Sequence, residues 1–212
     1  MKQINETTFT SDNGLITFVH GDCMKVMSGF NEDEFDLSCV DPPYGINVNM
    51  NAGRKSDTRS RKRTVKKWDL EPPSQEYFDM LRLISKNQII WGANHLIDKI
   101  KTNSQGWIFW DKCVATECSF SDGELAWTSF NRTLKKITVP WSGFIGSEGE
   151  KFHPTTKPIK LYRNVFREYA KPTDHILDTH GGSLNSAIAA HMDGFRMTNI
   201  IVTGKQIGRA HV

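Results

Sequence analysis

Several things are scarce in this sequence, and each scarcity removes a class of protein. Cysteine comes to four in 212 residues, Cys23, Cys39, Cys113 and Cys118, with no CxxC spacing and far below the density of a disulfide scaffold. A stapled secreted module is thereby excluded, a structural zinc site is disfavoured, and three of the four sit among core-like neighbours as expected buried free thiols. Long apolar runs are missing too. No stretch approaches the ~20 residues that span a bilayer, and the opening MKQINETTFT lacks the apolar segment of a signal peptide, so a cytoplasmic protein with no membrane partner is expected. A strong charge bias is also lacking: 27 Lys and Arg against 24 Asp and Glu leave +3, too little to name a partner. There is no internal repeat and no low-complexity segment. What remains, 38% hydrophobic residues over 212, suffices for one domain with a sizeable core.

Apolar runs bounded by polar turns supply the elements. Leu15–His20, Phe35–Val40, Asn87–Gly92 and Gly106–Asp111 read as short buried strands, with His175–Asp178 as another and a last one in GFRMTNIIVTGK. Between them, Pro73 and Ser74 open a helix that carries Phe78, Leu81 and Ile84 on one face. A second helix starts at Pro158, with Leu161, Val165 and Phe166 on one face, and Ser183–Met192 reads as a small-residue helix. The alternation predicts an α/β fold, its strands mostly parallel and its helices covering both faces. The aromatic-rich stretch from Trp107 to Trp141 alternates like core.

Two loops stand out at predicted strand ends, where open α/β sheets bind ligands. In FDLSCVDPPYG, Phe35–Gly45, two prolines end the strand rigidly because they lack a backbone N–H and fix φ. Asp41 and Tyr44 flank that stiff pair. In DTHGGS, Asp178–Ser183, glycines at a strand-to-helix turn allow close backbone approach to a ligand.

DPPY after an apolar strand, GGS after ILD, and HPTTKP at His153–Pro158 are together similar to the amino-methyltransferases of DNA. With the DPPY loop before the GGS loop, the order resembles the circularly permuted beta class. NQIIWGANH, WIFWDK and ELAWTSF resemble stretches of phage and prophage adenine methyltransferases, so the likeness runs from about Leu15 to about Phe195. It implies a Rossmann-like fold that binds S-adenosylmethionine, in a single catalytic domain over 1–205 with an inserted basic loop at 51–69. The implied reaction is methyl transfer to the exocyclic amine of adenine in double-stranded DNA. Asp41 and the Pro42 carbonyl would hold the amine's hydrogens, Pro43 would stiffen the turn, and Tyr44 would stack on a base flipped out of the duplex. Asp178, Thr179, His180, Gly181, Gly182 and Ser183 would line the cofactor's methionine part, with Thr155 and Lys157, before Pro158, reaching its carboxylate. Asp22, in HGDC, would meet its adenine amine or else cap the following helix. His180 has no evident acid–base partner and is assigned packing beside the cofactor.

The loop Asn51–Asp69 concentrates positive charge: Arg54, Lys55, Arg59, Arg61, Lys62, Arg63, Lys66 and Lys67 stand against Asp57 before the closing acid. It reads as a phosphate-binding rim beside the DPPY turn, or as a solvated loop that orders on DNA. Other readings stay open: methyl transfer to cytosine, to RNA or to protein glutamine, and an inactive DNA-binding remnant. The resemblance also implies a strand ending in acids after the GGS helix, yet no Asp or Glu follows Asp193. Back-translated, QIGRAHV (Gln206–Val212) resembles a sequencing adapter, so 206–212 is expected to be a non-native tail on a shortened chain.

Overall fold

The computed structural model of the chain describes residues 1–46, 71–114, 121–141 and 156–202. At its centre lie strands β3 (Ile16–His20), β4 (Phe35–Val40), β5 (Ser85–Trp91), β9 (His175–Asp178) and β10 (Arg196–Ile201), all mutually parallel in the order β3-β10-β9-β4-β5. Their runs are apolar on both faces because both faces are covered. On one side α4 (Ile159–Tyr169) buries Leu161, Tyr162, Val165, Phe166 and Tyr169 beside α5 (Asn185–Asp193). On the other, α2 (Gln75–Ile84) buries Tyr77, Phe78, Leu81 and Ile84, next to α1 (Cys23–Met27) and α3 (Ile97–Ile100). Each large side chain so buried contributes roughly 1.5–3 kcal/mol before entropy is counted.

The sheet extends beyond the parallel centre in ways the apolar runs did not reveal. At one edge β1 (Lys2–Gln3) and β2 (Thr8–Thr10) add antiparallel to β3. At the other, β7 (Gly123–Thr128) pairs antiparallel with β5, β6 (Trp107–Asp111) antiparallel with β7, and β8 (Lys135–Thr138) parallel with β6. Trp110 and Trp127 are buried there, as the alternation predicts. The thiols divide: Cys39 is buried, Cys23 half-buried, and Cys113 exposed. Cys113 is exposed because it follows β6 on a loop, at φ 51°, while Cys118 lies outside the described residues.

Topology fixes where a ligand can sit. From β4 the chain passes through α2 to β5, on one side; from β9 it passes through α5 to β10, on the other. Neighbouring strands β4 and β9 therefore form the switch point, and the crevice of a doubly wound sheet opens beyond their carboxyl ends. The DPPY turn leaves β4 there, and the DTHGGS turn leaves β9 there. No described helix is long and apolar enough to cross a membrane.

Candidate active site

Where β4 ends, Pro42 is buried while Asp41, Pro43 and Tyr44 are half-buried. The Tyr44 hydroxyl donates to Asp41 Oδ1 at 2.5 Å, and the Lys157 ammonium sits 2.6 Å from Asp41 Oδ2 and 3.2 Å from the Tyr44 oxygen. Both carboxylate oxygens thus have a partner. Gly92, at the end of β5 with φ 65°, makes room for the ring: a Cβ there would fall 2.1 Å from Tyr44 Cε1. The ring stacks with the exposed His95, centroids 5.5 Å apart and planes 20° from parallel. Burial, reinforced by the Asp41 charge, holds the Tyr44 hydroxyl well above its ordinary pKa, so it stays a donor.

Lys157 joins this turn to a residue the sequence reading did not single out. Its side chain is 3% exposed, and Nζ lies 3.2 Å from Glu124 Oε2 on β7, whose Oε1 meets Lys112 Nζ at 2.7 Å. Burial pulls the Lys157 ammonium down, but Asp41 and Glu124 outweigh it and hold the group well above its ordinary pKa. Burial likewise raises the Glu124 carboxyl, and Lys157 and Lys112 reverse that to a value below the usual one. Lys112, Glu124, Lys157 and Asp41 form a row of side chains of alternating charge. Lys157, expected at a cofactor carboxylate, places its ammonium on Asp41 and Glu124, while its backbone carbonyl accepts from Asn185 Nδ2 at 2.8 Å.

Beyond β9, Asp178 is 3% exposed and is pushed up to about 6 by burial. Its Oδ1 accepts the His180 backbone N–H at 2.9 Å and its Oδ2 the Ser186 hydroxyl at 2.6 Å, which locks the turn onto α5. Thr179 Oγ1 lies 2.6 Å from the Tyr77 hydroxyl on α2 and 2.8 Å from His180 Nδ1. Burial holds the His180 imidazole down at about 4, so the ring is neutral. Gly181 packs onto β10, where a Cβ would meet Asn199 Oδ1 at 2.6 Å, and Gly182 turns the chain at φ 47°. Leu184 takes φ 66° without being glycine, next to Ser183 and just before α5.

Asp22 stands exposed after β3 and caps α1, accepting the Lys25 N–H at 3.1 Å. Pro158 is buried at the start of α4. Asp22, Gly181 and Asp41 thus mark the carboxyl ends of strands in one continuous parallel set. That layout fits an elongated organic ligand lying across the strand ends, held by backbone groups of a glycine turn with a carboxylate at each side. The buried Asn199 amide, with neither polar atom hydrogen-bonded among the described residues, lies directly under Gly181. Thr155 and the basic residues Arg54, Lys55, Arg59, Arg61, Lys62, Arg63, Lys66 and Lys67 lie outside the described residues.

Sequence reasoning missed Glu124, Lys112, Tyr77 and Gly92 as parts of the site. Glu124 carried a faint signal, an acid inside the otherwise apolar GELAW, and Gly92 another, a glycine closing a strand. Tyr77 carried none, since it reads as one more apolar position of α2.

No protein-family model matches the chain. A protein of Escherichia coli (strain K12) named "Putative methylase YubD" is 24% identical over 196 residues, covering 86% of this chain and 83% of that protein. The solved structure of the M1.HpyAVI–SAM complex is 15% identical with a TM-score of 0.61, over 93% of this chain and all of that one. The PvuII DNA methyltransferase, described as cytosine-N4-specific, is 13% identical with a TM-score of 0.62, over 95% of this chain and 87% of that one. At such identities it is architecture that is shared, and the chain therefore has the methyltransferase fold, with its DPPY and DTHGGS turns side by side at the switch point of the sheet.

Proposed function

We propose that this chain transfers a methyl group from S-adenosylmethionine to the exocyclic amine of adenine in double-stranded DNA. The observation that carries the reading is the meeting of the DPPY turn and the DTHGGS turn beyond adjacent strands β4 and β9. Support comes from the solved relative that is a complex with SAM and from the DNA methyltransferase named above. Asp178–Ser183, Asp22, Pro158 and Thr155 are proposed to hold the cofactor. When bound, it supplies an electrophilic methyl group.

The residues of the turn do the rest. An exocyclic amine is a poor nucleophile because its lone pair is delocalised into the ring. Hydrogen bonds from its two hydrogens to the Asp41 carboxylate and the Pro42 carbonyl draw the nitrogen toward a tetrahedral shape, and they strengthen as positive charge develops on it. A carboxylate offers about four acceptor positions, so Asp41 can take the amine while it keeps Tyr44 and Lys157. Reaching this turn requires a flipped base, at a few kcal/mol, and stacking on Tyr44 offsets roughly 1–3 kcal/mol of that. The basic loop, Arg54 to Lys67, is proposed to hold the DNA backbone meanwhile.

Incubating the protein with methyl-labelled S-adenosylmethionine and duplex DNA, then digesting to nucleosides, tests this directly. Label in N6-methyladenine is expected. Label in N4-methylcytosine would establish the second reading, which the likeness to the PvuII enzyme favours. Label that enters only RNA or protein, or no label at all, would sink the DNA reading.

A further inference from the structure

We infer that Glu124 is a positioning residue for the proposed methyl transfer: it shares the buried Lys157 ammonium with Asp41 and so sets how much acceptor capacity Asp41 keeps for the target amine. The inference rests on the reading of Asp41 given above. Lys157 lies between two carboxylates, 2.6 Å from Asp41 Oδ2 and 3.2 Å from Glu124 Oε2. With three ammonium hydrogens to place, it serves Asp41, the Tyr44 oxygen and the Glu124 side. Glu124 Oε2 is itself buried and accepts no aligned hydrogen bond among the described residues. Its hold on Lys157 is therefore one of charge.

Buried cations need compensation, and one anion compensates differently from two. While Glu124 is ionised, the ammonium is drawn from both sides, and Asp41 can still accept a further donor. Remove that charge and the ammonium closes on Asp41 alone, in a medium where water screens little. The amine's hydrogens then compete with a full cation for the same oxygens. Lys112, 2.7 Å from Glu124 Oε1, completes the row and keeps its charges balanced. Glu124 touches neither amine nor cofactor in this scheme; it acts through Lys157.

A double-mutant cycle in single-turnover methyl transfer decides the matter, with E124Q, K157M and E124Q/K157M measured beside wild type. Glutamine keeps the shape of Glu124 and removes only its charge. E124Q is expected to slow transfer about ten- to a hundredfold, by analogy with the loss of an outer partner that orients a metal ligand, with S-adenosylmethionine and DNA affinities unchanged. In the K157M background the same change is expected to have no further effect, since the group it acts through is gone. A structural role independent of Lys157 would not vanish in this way. Should E124Q alone fail to fold, a further slowing of E124Q/K157M relative to K157M would still overturn the inference, because that double variant removes one charge of each sign. Losses that multiply in the double variant, or an E124Q enzyme as fast as wild type, would overturn the inference while leaving the methyl-transfer reading intact. Wild-type protein that labels no substrate would overturn both.

Discussion

Adding a single methyl group at Gly92 should dislodge Tyr44 from the site. The Cβ of Gly92→Ala would fall 2.1 Å from Tyr44 Cε1 and 2.2 Å from Cζ, whereas carbon atoms in contact prefer roughly 3.5–4.0 Å. The ring must therefore shift by more than an ångström. It is not free to do so, because its hydroxyl is tied to Asp41 and to Lys157. Losing a hydrogen bond to a charged group costs about 1.5–3 kcal/mol, and holding a non-glycine residue at the φ of 65° found here adds about 1–2 kcal/mol. The sum is about 3 kcal/mol or more, which for a chain of this size lowers Tm by roughly 6–12 °C. Methyl transfer should fall further than stability explains, because the displaced ring is the proposed stacking surface, worth ~1–3 kcal/mol per base. Scanning calorimetry measures the first effect. Single-turnover transfer, at a temperature where both proteins are folded, measures the second. A Tm within about 2 °C of wild type together with full activity would refute the packing of Tyr44 on Gly92.

Asp41→Ala should abolish transfer while calorimetric titration shows S-adenosylmethionine affinity within a few fold of wild type; retention of more than about a tenth of the activity would rule out its role at the amine. Neutralising Arg61, Lys62 and Arg63 together should weaken binding to all DNA sequences alike and flatten the slope of log affinity against log salt by up to about 2.7 for three lost phosphate contacts. A changed site preference with the same slope would make the loop a base reader. Stability against pH should expose His180, which is held at about 4 in the folded protein against an ordinary 6.5. Its contribution is present above pH 6.5 and is lost as pH falls toward 4, up to about 3 kcal/mol at roughly 1.4 kcal/mol per unit. Asp178, raised to about 6, runs the other way: its stabilisation is complete below about 3.8 and lost as pH rises through 6, so the two largely cancel in the wild type. Urea unfolding at pH 7 and pH 4.5 should show His180→Asn losing less stability on acidification than wild type does, and identical losses would show that the imidazole is not held neutral by the fold.

Which parts of this site were legible in the sequence follows from how far apart in the chain their causes lie. The DPPY turn is written in adjacent residues: Phe35–Val40 is apolar because β4 is covered on both faces, and the prolines that end it stand next to the acid and ring they present. The same holds for β9 and its glycine turn, and for α2 and α4, whose buried faces recur at helical spacing. By contrast, β8 shows only Ile137 buried among exposed Lys135, Lys136 and Thr138, as a lysine-guarded edge strand does, and leaves no apolar run to read. Glu124 is the harder case. It reaches the site because β7 runs antiparallel to β5, with Trp91 opposite Ala126 and the Gly92 N–H donating to the Leu125 carbonyl at 2.9 Å. Two residues along from Ala126, Glu124 continues the same face just past the end of β5, where Lys157 arrives from the segment before α4. A slip of one residue in that pairing would turn its carboxylate to the opposite face of the sheet and leave Lys157 buried against Asp41 alone. The register of β7 on β5 is thus part of the geometry of the proposed site, set by side-chain packing on two strands and by a glycine that admits Tyr44, none of which any short stretch of the sequence spells out.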